Sequence, residues 1–291
     1  MKVFLKKILR FLLILSLGFT FLVIGTKAIV FSTFDFSIPS EKNILILGDS
    51  HTQCSMDDNI IANSLNMSES ADTYFYSYIK LKNIITYNKQ IDTLVLAYAP
   101  HNISKTQDKW LVDNSINSFK LPLHFFLFDT EDIMSFISNS PFQTVKYAPL
   151  TIKNNLGHLY RVLKKEKINR FGIGGFLALP NKHSEKTKIK KKSKIEFSTN
   201  DVFYLEKIYS YCEKYKIKLI LINTPIEQSF EEDSSILLKK YLEFKNDKLS
   251  NATLLDCSKI VLKKTFFADK DHLNCQGARF FSEWFKKNIN K

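Results

Sequence analysis

Two short stretches far apart in the chain carry the residue types that acyl chemistry needs. The first is Ile46-Leu47-Gly48-Asp49-Ser50-His51. An apolar run ending in glycine reads as a buried strand and a tight turn, with Ser50 opening the helix that follows. A serine there stands on the carboxyl edge of a sheet, and its own N–H, among the first of a helix, can stabilise an oxyanion. Serine is a weak nucleophile until a neighbouring base takes its proton. The second stretch, Phe267-Ala268-Asp269-Lys270-Asp271-His272-Leu273-Asn274, offers that base. Asp269 and His272 are three apart. One turn therefore folds the carboxylate onto the imidazole and fixes its tautomer, the part the acid plays in a Ser-His-Asp triad. Asp271 is adjacent to His272, and neighbouring side chains usually diverge, so Asp269 is the preferred acid. The expected roles are nucleophile for Ser50, base for His272 and orienting acid for Asp269.

Gly48-Asp49-Ser50 after a strand, with Asp-x-x-His near the other end, resembles the SGNH/GDSL hydrolase superfamily. The wider contexts are Ile46 to His51 and Asp269-x-x-His272-Leu273-Asn274-x-x-Gly277-Ala278. They look closest to the SGNH domains of bacterial envelope O-acylation systems, some fused to or partnered with membrane acyltransferases. The resemblance follows the motif order through most of the chain past residue 40, and only its two end motifs are specific. It implies a flavodoxin-like, three-layer α/β/α fold with a mostly parallel sheet. It further implies a serine esterase or O-acyltransferase acting on acyl, chiefly acetyl, esters of a cell-envelope glycan. No cofactor is expected, and a multi-span membrane acyltransferase is the expected protein partner.

Two positions of that family are altered here. No glycine lies between Gly48 and Gly157, so the second-block glycine whose N–H helps form the oxyanion hole is absent. A non-glycine N–H within Tyr74 to Tyr78 is the expected substitute. The family's Gly-x-Asn-Asp block is replaced by Ala99-Pro100-His101-Asn102, which leaves Asn102 as the oxyanion donor beside the Ser50 N–H. The departures keep a different class of reading open: an SGNH fold without catalysis that binds glycan or scaffolds an assembly. Asp49, His51 and His101 flank the site as candidates to line its pocket, although either histidine also reads as a polar strand-end residue.

The elements that must hold these residues are legible as apolar runs alternating with helical periodicity. Asn43 to Leu47, Thr93 to Ala99, Ile217 to Ile222 and Ala252 to Leu255 read as buried parallel strands. Asp57 to Leu65, Ser77 to Asn88, Asp201 to Tyr215, Ser235 to Phe244 and Gln276 to Ile289 read as helices, the third capped within Ser198 to Asn200. Such alternation calls for a doubly wound sheet with its site at the strands' carboxyl ends. Tyr74, Tyr76 and Tyr78 alternate as half-buried packing residues would. Residues 105 to 200 break the rhythm and read as an insertion. It carries an aromatic-rich part whose phenylalanines read as a satellite core under a lid, then Gly172-Ile173-Gly174-Gly175 and a lysine run from Lys182 to Lys194. That run reads as a loop, with contact to anionic glycan or lipid as the functional alternative. His124, His158 and His183 have no ligand spacing and are expected at the surface.

Lys2, Lys6, Lys7 and Arg10 precede an apolar stretch over residues 11–31 that is interrupted only by Lys27. About 20 such residues suffice to span a bilayer. The basic flank at 1–10 is expected in the cytoplasm and the domain at 40–291 outside it. An uncleaved signal anchor is favoured; a signal peptide cut near Thr26-Lys27-Ala28 is the alternative. The net charge of +13 suits a membrane surface or an acidic glycan. Nucleic acid is not an expected partner, because no recognition motif accompanies the charge. Cys54, Cys212, Cys257 and Cys275 lack zinc-site spacing, so no metal is expected. The spacing of the four cysteines does not give a pairing; if the triad forms, Cys54 and Cys275 are carried toward one another, and a bridge between them is a hypothesis that requires their Cα atoms within about 7 Å.

Overall fold

Four of the apolar runs form strands, and a fifth strand joins them. The computed structural model describes residues 1–108, 114–164, 173–181, 196–227 and 235–289. The strands are β1 (Ile44–Leu47), β2 (Ser64–Asn66), β3 (Thr93–Ala97), β4 (Lys218–Asn223) and β5 (Thr253–Asp256). They form one parallel sheet in the order β2-β1-β3-β4-β5. Side chains alternate between its faces. Ile44, Ile46, Val95, Ile220 and Ile222 build one core with Phe281 and Phe285 of the last helix. The protein is therefore α/β, with the three-layer plan expected. From β1 the strand order runs outward in both directions, so the switch point lies between β1 and β3, where ligand sites of such sheets occur. Ser50 follows β1, and His101 and Asn102 follow β3.

Two compact units make up the chain: residues 1–35 with 112–170, and residues 36–111 with 171–291. The second holds the sheet, with α2 (Ser50–Ser55), α3 (Tyr74–Tyr87), α7 (Thr199–Tyr215), α8 (Ser235–Lys248) and α9 (Cys275–Asn288). In α7 the Ser198 hydroxyl caps the Asp201 N–H at 2.9 Å, and Leu205, Ile208 and Cys212 supply the buried stripe. The first unit holds α1 (Lys2–Thr33), α4 (Asn114–His124), α5 (Thr130–Asn139) and α6 (Pro141–Leu163). Asp129 and Asp132 cap α5 reciprocally, and Pro141 opens α6 where a missing N–H costs nothing. Helix α1 is long and apolar enough to cross a membrane, and only Thr26 and Val30 along it are buried. The residues expected as one insertion thus divide, 112–170 falling with 1–35 and the remainder with the sheet.

Several expectations are corrected. Asp57 to Leu65 is not a helix. Asp57 accepts the Ile60 and Ile61 N–H groups on its carbonyl and that of Asn59 on its side chain, a turn in which Asp and Asn compete with helical bonding. Ser64 to Asn66 then pair with β1 as a strand too short and polar to announce itself. The tyrosines at 74, 76 and 78 do pack, as expected, but from helix α3, which begins at Tyr74 and buries Tyr74 through Ser77. His124 is buried, its Nδ1 2.9 Å from the Lys120 carbonyl, and His158 is half-buried; neither is a surface group. His183, Gly172 and the lysine run 182–194 lie outside the described residues. All four cysteines are free thiols. Cys54 is buried, with its thiol pushed up to about 12 by desolvation, whereas Cys275 Sγ donates to Asn181 Oδ1 at 3.0 Å.

Candidate active site

The turn that presents Ser50 exists because residue 48 has no side chain. Gly48 sits at φ +147°, and a Cβ there would lie 2.3 Å from the Ala97 Cβ and 2.6 Å from Thr52 Oγ1. Gly48→Ala is therefore expected to cost about 3 kcal/mol, from left-handed strain plus overpacking. Thermal unfolding should reveal it, together with misplacement of Ser50. Asp49 caps α2, its Oδ1 accepting the His51 N–H at 3.0 Å. Ser50 is the first residue of that helix, so its N–H has no intrahelical acceptor.

His272 reaches Ser50 from the other end of the chain. Its Nε2 lies 2.8 Å from Ser50 Oγ, while Nδ1 lies 3.0 and 3.1 Å from the two Asp269 oxygens. Local backbone geometry sets this up. Asp269 Oδ1 also accepts the N–H groups of Asp271 and His272 at 2.8 and 2.9 Å, and Ala268 N–H donates to the His272 carbonyl. The rest of the motif is positional. Asn274 caps α9 by accepting from Gln276 and Gly277, and its amide donates to the carbonyls of Thr265 and Phe267. A Cβ on Gly277 would lie 2.1 Å from the Phe266 carbonyl oxygen.

The charges suit proton transfer. Burial alone would raise the Asp269 carboxyl, but the hydrogen bond and charge of His272, with two backbone N–H donors, hold it down at about 2. Burial alone would lower His272, and the Asp269 partner outweighs it, leaving the imidazole above its ordinary value. A raised imidazole basicity is what a base for a serine hydroxyl requires.

A second network meets the first. Asp49 Oδ2 accepts from Asn102 Nδ2 and lies beside His101 Nε2, both at 2.8 Å. Asp49 is 1% exposed, so it is a buried anchor and not the pocket-lining group expected. Burial would raise its carboxyl, but the charges and hydrogen bonds of His51 and His101 hold it well below the carboxylate range. The Asn102 Oδ1 accepts the Ala99 N–H at 2.8 Å. Its amide is thus fixed, with one N–H on Asp49 and one left over for an oxyanion. The His51 ring stands between the other two imidazoles, its centroid 4.4 Å from that of His101 and 5.1 Å from that of His272. Asp49, His51 and His101 bring possible metal-ligand atoms within 4.8 Å of one another. The hydrogen bonds already on both Asp49 oxygens describe a proton network more economically.

The loop after β2 supplies no oxyanion donor from residues 67–70. Met67 N–H goes to the Ile46 carbonyl and Glu69 N–H to that of Gly48. Ser68 N–H goes to Asn66 Oδ1 and Ser70 N–H to Gln53 Oε1. The substitute expected in Tyr74 to Tyr78 fares no better at Tyr74, whose N–H donates to Asp201 Oδ1, or at Ser77, whose N–H goes to Thr73.

Two features were not anticipated. Lys80, fully buried on α3, donates to Asp72 Oδ2 at 2.6 Å and to the Met67 carbonyl at 3.0 Å, tying down that loop. Its position among apolar helix residues was the available signal. Residues 173–181 run beside the site, with Gly175 N–H on Ser68, Leu177 N–H on Gln53 and the Leu179 carbonyl accepting from Cys275. Gly174 makes the crossing feasible, since a Cβ there would meet the Met67 oxygen at 2.2 Å. The glycine cluster pointed to this segment without giving its course.

Among known proteins, a family model for a domain of unknown function matches residues 119–291, more than half of the chain. The matched stretch contains Asp269 and His272 and begins downstream of Ser50. No curated protein matches the chain.

Proposed function

Since the chain belongs to that family of unknown function, its activity has to be argued from its site, and we propose that it is a membrane-anchored serine acyl-transfer enzyme of SGNH type. The observation that carries this reading is the relay Ser50 Oγ, His272 Nε2, His272 Nδ1, Asp269, with both links at hydrogen-bond distance. Ser50 Oγ attacks the carbonyl carbon of an acyl ester as its proton passes to His272 Nε2. The tetrahedral oxyanion takes the N–H of Ser50 and the spare N–H of Asn102. His272 returns the proton to the departing alcohol, leaving an ester on Ser50. An acceptor hydroxyl then gives its proton to His272 and attacks that ester; the Ser50 oxygen departs and takes the proton from His272, which restores both groups. Water as acceptor makes the protein an esterase; a sugar hydroxyl makes it an O-acyltransferase. The substrate we propose is an acetylated cell-envelope glycan, which suits a basic protein tethered by α1, its domain outside the cytoplasm. A multi-span acyltransferase would supply acyl groups, and the reading needs no cofactor and no nucleic acid.

One observation favours a second reading, a non-catalytic glycan-binding or assembly protein. Every N–H of residues 67–70 is committed within the protein, so that loop adds no donor to those of Ser50 and Asn102. A fluorophosphonate serine probe separates the readings. The enzyme reading expects labelling of the intact chain at Ser50 and none after Ser50→Ala. Equal labelling of both, or none of either, would favour the binding protein. Acetyl-ester turnover with and without glycan acceptor then distinguishes hydrolysis from transfer.

A further inference from the structure

Helix α6 (Pro141–Leu163) is built inside out for a helix of a soluble protein. Its buried residues, Tyr147, Thr151 and Asn155, follow at intervals of four and carry polar atoms. Asn155 Nδ2 donates to Thr26 Oγ1 of α1 at 3.1 Å, with both side chains buried. Phe142, Val145, Leu156, Tyr160 and Leu163 are exposed instead, Phe142 at 88% and Leu163 at 82%. At 3.6 residues per turn these five fall within about 60° of arc, centred about 150° round the helix from the packed stripe. Lys146, Lys153 and Lys164, all exposed, flank the apolar arc on one side, and Lys164 lies over the Tyr160 ring.

From this arrangement we infer that α6 is an interfacial membrane helix, its apolar stripe lying in the lipid boundary beside the end of α1. The inference rests on α1 being a membrane span and is independent of any activity at Ser50. The occupant is argued from continuity. The hydrogen bond between α1 and α6 falls at Thr26, one to two turns before the end of the apolar stretch at Phe31, and the buried face of α1 extends from there to Val30. At 1.5 Å per residue that is about 8 Å inside the span's end, the depth at which amphipathic helices lie. Exposed α1 residues such as Phe21 and Leu22 continue the apolar surface toward the bilayer centre. The flanking lysines fit anionic headgroups, with their stems along the acyl boundary.

Depth-dependent fluorescence tests this on the full chain in vesicles of phosphatidylcholine and phosphatidylglycerol, using phosphatidylcholine brominated along its acyl chains as quencher. Phe142→Trp and Leu163→Trp would report the stripe, Leu15→Trp the span, and Asn154→Trp, exposed off the apolar arc, the solvent side. The signal of the unsubstituted chain, from Trp110 and Trp284, is subtracted. The expected result is quenching at 142 and 163 comparable to that at 15, with none at 154. Quenching at 15 without any at 142 and 163 overturns the inference and leaves the stripe to a second copy or another protein. Absence of quenching at 15 as well overturns both the span and the interfacial helix. Cooperative unfolding of each variant, followed by circular dichroism, keeps a folding defect from being read as a change of depth.

Discussion

His272→Ala is expected to slow fluorophosphonate labelling of Ser50 by about 10⁴-fold or more, and acetyl-ester turnover with it. The imidazole is the group within hydrogen-bond reach of Ser50 Oγ, 2.8 Å away. Removing it leaves a serine hydroxyl at its ordinary, unreactive pKa. What remains is binding and the two oxyanion donors, which sets the residual rate. The substitution spares the backbone contacts of residue 272, since Asp269 still accepts its N–H and Ala268 still donates to its carbonyl. A large rate loss with thermal stability nearly unchanged is therefore the expected pattern, and added imidazole should restore part of the rate. If labelling is equally slow with and without His272, Ser50 is not activated, and the fold serves binding.

The sequence makes this site legible where geometry is local and leaves it illegible where partners come from loops. Ser50 behind Gly48, and Asp269 three before His272, carry their spatial relation in their spacing. Asn274 and Gly277 belong to the same motif for physical reasons, a helix cap and a close pass of backbone. Four strands were visible because parallel strands buried on both faces read as unbroken apolar runs. Strand β2 was not, because Ser64-Leu65-Asn66 has no such run; its place follows from Asn66 donating to the carbonyls of Thr52 and Met56. The burial of Asp49 was equally hidden, for its partners His101 and Asn102 arrive from the far side of the switch point. Helix α6 misleads in the opposite sense. The phenylalanines of residues 105 to 200 read as a satellite core, and Phe125, Phe126, Phe128 and Phe136 are buried accordingly, whereas on α6 Phe142 is exposed and polar residues pack. Periodicity identifies a stripe but does not say which medium covers it.

The acid of the relay gives the other large effect. Asp269→Asn is expected to lower the maximal rate by about 10⁴-fold. Asparagine can present an amide N–H to His272 Nδ1, which stabilises the tautomer protonated on Nε2; that nitrogen would then donate to Ser50 Oγ instead of accepting from it. The direction of the pH shift distinguishes this loss from simple misfolding. In the intact protein Asp269 holds the His272 pKa above its ordinary value against the effect of burial. Catalysis needs the neutral ring, so the rate climbs with pH through that raised value. Without the carboxylate, burial is left as the main influence, and the acid limb should move to lower pH while the plateau collapses. The Asp269 carboxyl is itself held down at about 2. It thus contributes stability above its unfolded value of about 4, and that contribution fades as pH falls toward 2. The comparison is therefore made above pH ~5, where this stability change is complete and constant. A rate loss with the acid limb unmoved would mean that Asp269 only shapes the loop, and that the charge on His272 is set by other groups.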